Sequence, residues 1–156
     1  MAIEVARRWP HMHASVLDRP SVCMLAAERI QEAGLSDRIS VEACDFNREP
    51  LPRNGDVMLL SQILHDWSIE AGRQLLSRTF DALPPGGLLL VNEKLLNREG
   101  AAPLTNVLVN LDMLVWTEGR QLHQCELEEM LQSIGFTQIR SIPTVGYWTV
   151  TSASKP

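Results

Sequence analysis

The stretch Asp56–Glu70, "DVMLLSQILHDWSIE", joins two periodicities. "DVMLLS" is a continuous apolar run closing on a small polar residue, the pattern of a strand covered on both faces. Beyond Trp67, Ser68 supplies an N-cap, and Leu75, Leu76, Phe80 and Leu83 recur at helical spacing. Between strand and helix stand His65, Asp66 and Trp67. An open α/β sheet binds its ligands where strands end, so this polar triplet is a candidate site, with ordinary loop punctuation as the alternative.

The same alternation runs through the chain. Ile3–Arg8 reads as the tail of a helix, ended by Trp9-Pro10, and Ala14–Leu17 as a short strand closing on Asp18. Pro20 opens a helix, where its missing N–H costs nothing, and Gly34 ends it. Arg38–Ala43 turns Ile39, Val41 and Ala43 inward as a strand. Leu88–Asn92 is a further buried strand leading into Glu93. Leu104–Trp116 is a helix apolar nearly all round, expected to be buried on two sides. A helix carrying Leu127, Met130, Leu131 and Ile134 ends at Gly135, and Phe136–Ile142 with Gly146–Thr151 close the chain as an antiparallel pair. Asn97–Pro103 is the candidate flexible connection. The order favours a mostly parallel sheet with helices on both faces.

Composition narrows the classes. With 156 residues and 45% apolar content the chain is long enough for one cored domain. A net charge of −5, with 14 scattered Lys and Arg, argues against a nucleic-acid partner. No apolar run approaches a membrane span, and the start, "MAIEVARRWPHMH", lacks the apolar region of a signal peptide. Cys23, Cys44 and Cys125 lie far apart without metal-like spacing, as in a reducing compartment. These features read as a soluble, cytoplasmic protein with no membrane partner and no metal.

Three acids follow strands: Asp18, Asp45 and Glu93. A carboxylate at the end of the second strand of such a unit commonly takes the ribose hydroxyls of a nucleotide-like cofactor, because it accepts from two neighbouring hydroxyls. Capping a following helix is the alternative for each. That acid lies about 20 residues beyond the start of a glycine-rich turn. Counting back from Asp18 reaches the start of the chain, which reads as if it begins just inside the first crossover helix.

Longer segments carry a resemblance. "ARRWPHMHASVLDRPSV", "CDFNREPLP", "LLSQILHDWSIEAGRQLLSRTFDALPPGGLLLVNE" and "ELEEMLQSIGF" resemble the catalytic domain of the S-adenosylmethionine-dependent O-methyltransferases. That family includes the caffeate, acetylserotonin and bacterial polyketide-tailoring enzymes. The likeness runs from about Ile3 to about Ile142, with "ILHDWS" and "ALPPGG" at their spacing its most specific part. It implies a Rossmann-like class I methyltransferase sheet, mostly parallel with a C-terminal antiparallel hairpin. Residues 1–156 would form a partial catalytic domain lacking the first strand and glycine-rich loop, with the helical dimerisation domain absent.

The resemblance also implies roles. The cofactor is S-adenosylmethionine, with Asp18 on its ribose, Asp45 and Phe46 at its adenine, and Ser61 near its carboxylate end. Cys44 stands where the family usually has glycine before that acid. His65 is the catalytic base and Glu93 an acid flanking it, while Asp66 has no assigned role. The acceptor is a small aromatic or polyketide-like molecule bearing a hydroxyl. Asn110, Met113 and Trp116 match its lining surface, with core packing the alternative for Met113 and Trp116.

The family's G-G-x-E-R-T-like segment reads "EGRQLH" here, so Gln121 replaces a second flanking acid, Leu122 the arginine and His123 the threonine. In the family sheet the first strand lies between those of Ser15–Leu17 and Asp56–Ser61. Without it these two pair directly, another chain supplies the strand, or the domain folds poorly. A homodimer or a complementing N-terminal chain is the expected association. A non-catalytic remnant binding a partner through strand edges and Leu104–Trp116 is the rival reading. A nicotinamide-dependent dehydrogenase is disfavoured, because no hydride-transfer constellation accompanies "ILHDW" and "CDF".

Overall fold

A computed structural model describes residues 1–97 and 103–156, with the backbone alone at residue 114. The expected flexible connection falls on residues 98–102, outside the described residues. The chain divides into two compact units, Met1–Leu51 and Pro52–Pro156.

The first unit holds α1 (Ala2–Arg8), β1 (Ala14–Asp18), α2 (Pro20–Glu32) and β2 (Ile39–Ala43). Pro20 takes the first helical position, as the sequence predicts. The strands pair in parallel from Ala14 with Ile39 to Asp18 with Ala43. Ala6, Ile30, Leu35 and Ile39 form the core. Arg38 ties the chain after α1 to this sheet, donating to the carbonyls of Ala6 at 2.7 Å and Pro10 at 2.8 Å. The inward alternation of β2 fades along the strand: Ile39 is buried, Val41 half-buried and Ala43 exposed.

The second unit holds β3 (Val57–Ser61), α3 (Ile69–Ala82), β4 (Leu88–Glu93), α4 (Leu104–Trp116), α5 (Gln124–Ile134), β5 (Thr137–Pro143) and β6 (Thr149–Ser154). Its strand order is β3-β4-β6-β5, with β3 and β4 parallel and β6 antiparallel to both β4 and β5. The two parallel pairs and the closing antiparallel ribbon follow the expected order. Ser68 caps α3, its Oγ accepting the Ala71 N–H at 3.3 Å. Leu75, Leu76 and Ala82 of α3 are buried, as are Leu89 and Val91 of β4 and Leu127 and Leu131 of α5, and α3 packs with α5. Each such leucine contributes roughly 2 kcal/mol. Gly135, at φ 115°, ends α5 in the left-handed region, where a Cβ would also meet the Phe80 ring at 3.3 Å.

Two expectations change. β3 is not covered on both faces, since Val57 and Leu59 are exposed. Among the described residues β3 has β4 as its one strand neighbour and β1 has β2; they do not pair with each other. The helix α4 is not buried on two sides either: Leu104, Leu108, Leu111, Val115 and Trp116 are exposed. Its apolar surface exceeds what the described residues cover.

Candidate active site

His65 lies in a one-turn 3₁₀ helix, Leu64–Asp66, directly after β3. Gln62, at φ 57°, turns the chain out of the strand through the left-handed region, an uncommon conformation for a residue with a side chain. The Gln62 N–H donates to the Asn92 carbonyl at 3.0 Å. The next two N–H groups, of Ile63 and Leu64, both donate to Glu93 Oε1 at 2.9 Å. Glu93 Oε2 takes the His65 Nδ1 at 2.5 Å. One carboxylate at the end of β4 thus holds both the backbone of the turn and its imidazole. It is 1% exposed and His65 is 9% exposed, so this charge is buried fully hydrogen-bonded.

A carboxylate can only accept, so Nδ1 carries the hydrogen and Nε2 is the basic nitrogen. Nε2 lies 3.5 Å from Asp66 Oδ1. Burial pulls the His65 pKa down, but the hydrogen bond and charge of Glu93, then the charge of Asp66, outweigh it against a small opposing effect of Lys94. The net result is raised above 6.5. The imidazole is therefore oriented, basic, and matched to hold a proton it receives.

In the first unit, Asp18 and Asp45 come together at the carboxyl ends of β1 and β2, where the Cys44 N–H donates to the Asp18 carbonyl at 3.0 Å. Asp18 does not cap α2; its Oδ1 accepts the N–H of Arg19, the N-cap residue, at 2.8 Å. Asp45 Oδ1 accepts the Asn47 N–H at 3.2 Å, so this acid also shapes its own turn. Phe46 follows, half-buried. Burial first, then the carboxylates of Glu49, Glu42 and Asp45, push the Cys44 thiol up. It stays a small neutral group in the place of a glycine.

In the second unit, Ser61 ends β3 with its Oγ accepting from Asn92 Nδ2 at 3.1 Å. On α4, Trp116 is 81% exposed and Met113 is half-buried. Asn110 Oδ1 accepts the Gln121 N–H at 2.8 Å. Gln121 is 1% exposed, and among the described residues neither its Nε2 nor its Oε1 has a hydrogen-bond partner. The amide at the place of the missing acid therefore gives the imidazole no hydrogen bond.

Sequence reasoning missed several contributors. Asp66, singled out within the triplet but given no role, approaches the basic nitrogen. The N–H groups of Ile63 and Leu64 carry no side-chain signature. Gly119 packs on the His65 turn, and its sole trace is a glycine in "EGRQ". Arg120 braces α5, pairing with Glu126 at 2.9 Å and 2.5 Å. Those contacts bring the Glu126 carboxyl down to about 2, the Arg120 hydrogen bond leading.

A family model described as an O-methyltransferase domain matches residues 1–137. The chain is 41% identical over 140 residues to 3-hydroxy-5-methyl-1-naphthoate 3-O-methyltransferase of Streptomyces sahachiroi, covering 90% of this chain and 41% of that protein. It is 37% identical to acetylserotonin O-methyltransferase of Bos taurus, covering 94% of this chain and 42% of that one. An O-methyltransferase family 2 protein from Planctomyces limnophilus, solved in complex with apigenin, superposes with a TM-score of 0.93 at 30% identity, over 99% of this chain and 47% of that one. Human N-acetylserotonin methyltransferase, solved in complex with S-adenosylmethionine, superposes at 0.89 with 31% identity, over 97% of this chain and 43% of that one. The chain thus spans about two fifths of the length of these curated relatives. With the family model matched over most of its length and the class I methyltransferase fold shared at these TM-scores, the chain belongs to the O-methyltransferase domain family.

Proposed function

We propose that this chain serves the transfer of a methyl group from S-adenosylmethionine to a hydroxyl of a small aromatic or polyketide-like acceptor, with His65 as general base. The observation that carries the reading is the imidazole itself: Nδ1 is fixed by buried Glu93, which leaves Nε2 as the proton-accepting atom. The residues present suit the cofactor. Two half-buried carboxylates, Asp18 and Asp45, sit at the ends of adjacent parallel strands, with Phe46 following. Asp18 would hold the ribose hydroxyls, Asp45 and Phe46 the adenine, and Ser61 the carboxylate end.

When bound, the cofactor supplies an already activated methyl group on a sulfonium. The chain must present an acceptor oxygen and take its proton. A phenol has a pKa of roughly 10, so an imidazole within hydrogen-bond reach is a fitting base. As His65 Nε2 takes the proton, Glu93 and Asp66 hold the resulting imidazolium. Asn110, Met113 and Trp116 would line the acceptor. Orientation of the acceptor supplies more of the rate than the proton step.

Association as a homodimer, or with a complementing N-terminal chain, belongs to the same proposal; the edge of β3 that no strand among the described residues pairs and the exposed face of α4 support it. The non-catalytic reading is disfavoured by the intact, buried His65–Glu93 pair. The test is calorimetric titration with S-adenosylmethionine, alone and with a candidate N-terminal fragment, followed by a methyl-transfer assay on hydroxyarenes. His65→Ala should abolish transfer and leave cofactor affinity within twofold. Retained transfer, or loss of both together, would contradict the assignment.

A further inference from the structure

We infer that Gly119 is a positioning residue for His65: the Thr117–Gln121 segment lies so close on the backbone of the His65–Trp67 turn that only a residue without a side chain lets the imidazole seat on Glu93. A Cβ at position 119 would stand 2.1 Å from the His65 carbonyl oxygen, 2.6 Å from that of Trp67 and 2.7 Å from the Trp67 nitrogen. All three are backbone atoms, which no side-chain rotation can move aside. Clearing the nearest one requires a displacement of roughly 1 Å.

The segment is not free to retreat. The Gly119 N–H donates to Thr117 Oγ1 at 3.2 Å, and that hydroxyl donates to the Met113 carbonyl at 3.1 Å. Beyond the glycine, the Gln121 N–H is held by Asn110, and Arg120 is paired with Glu126. On its other side the turn is held by three hydrogen bonds to Glu93. The turn is thus clamped between a tethered segment and a buried carboxylate. An added methyl group forces it off one of them. The charged groups acting on the imidazole are Glu93 at the end of β4, Lys94 just after it, and Asp66 of its own turn. Arg120 is engaged by Glu126, so the segment acts on His65 by shape.

This inference deepens the reading of His65 as the base and rests on it only for its kinetic arm. The experiment compares Gly119→Ala with the unmodified chain by nitrogen-15 NMR titration of the imidazole and by methyl transfer. The expected result is a His65 titration moved toward the ordinary value, and a kcat lower by about 100-fold, the loss typical of a 1 Å misplacement. KM for the cofactor should change little. Should Gly119→Ala fail to fold, Thr117→Val removes the hydroxyl that holds the Gly119 N–H and should shift the titration in the same direction by less. A lowered melting temperature with an unmoved titration in both variants overturns the inference. A moved titration, in a chain whose methyl transfer survives His65→Ala, leaves the positioning role standing and removes the base assignment instead.

Discussion

His65 Nδ1 lies 2.5 Å from Glu93 Oε2, while the other oxygen of the same carboxylate holds the N–H groups of Ile63 and Leu64 at 2.9 Å. The acid that orients the imidazole is also the acid that shapes the turn presenting it. The two tasks fall to different oxygens of one side chain.

Glu93→Gln keeps an acceptor for the two N–H groups, removes the charge, and turns an amide NH2 toward Nδ1, so it also gives up the tautomer control of the carboxylate. On the proposed role of His65, its raised pKa should place the midpoint of the rise of kcat/KM with pH above 6.5, because the base would work unprotonated. Glu93→Gln should move that midpoint to lower pH. By linkage, a raised folded-state pKa contributes stability that is complete below 6.5 and lost as pH rises through the folded value. A midpoint below 6.5 in the unmodified chain, measured by initial rates across pH, contradicts the assignment.

Gln121→Met should stabilise the second unit. Two buried amide atoms without partners each cost on the order of 1–3 kcal/mol. An apolar side chain of similar shape removes that cost. A gain of about 1 kcal/mol in urea denaturation is expected, and a loss would show that the amide is satisfied in solution.

Acid should weaken the Arg120 brace. Glu126 is held at about 2 in the folded chain against 4.5. Its contribution is complete above 4.5 and disappears as pH falls toward 2. The pair is about one-third exposed, so screening reduces its worth to about 1 kcal/mol. Glu126→Gln should flatten the fall in stability between those pH values, followed by circular dichroism.

Asp18→Asn should weaken cofactor binding by roughly 10- to 100-fold, the loss expected when a charged hydrogen-bond acceptor is neutralised. The His65 titration should stay where it is, since Asp18 is not among the groups that act on it. Unchanged affinity by calorimetry would remove Asp18 from the cofactor reading.

Sequence pattern gave the element order and both ends of the His65–Glu93 pair, because strand ends, caps and apolar periods are local signals. It misjudged what covers them. The run "DVMLLS" and the all-round apolar α4 report surfaces suited to burial, whereas Val57, Leu59, Leu108 and Val115 are exposed. A neighbour leaves no mark in the period of the segment it covers. The hydrogen bonds of Ile63 and Leu64 to an acid 30 and 29 residues away were equally invisible, since any residue except proline carries that donor. Gly119 was visible as a letter, but its role depends on a backbone more than fifty positions earlier in the chain.

The 3₁₀ turn borrows its N–H partners from a strand that is made later in the chain. Until β4 docks alongside β3, its donors are answered by water and the imidazole has no fixed direction. The direction of the imidazole therefore comes only with the β3–β4 pairing, and a chain without β4 holds the histidine but not its orientation.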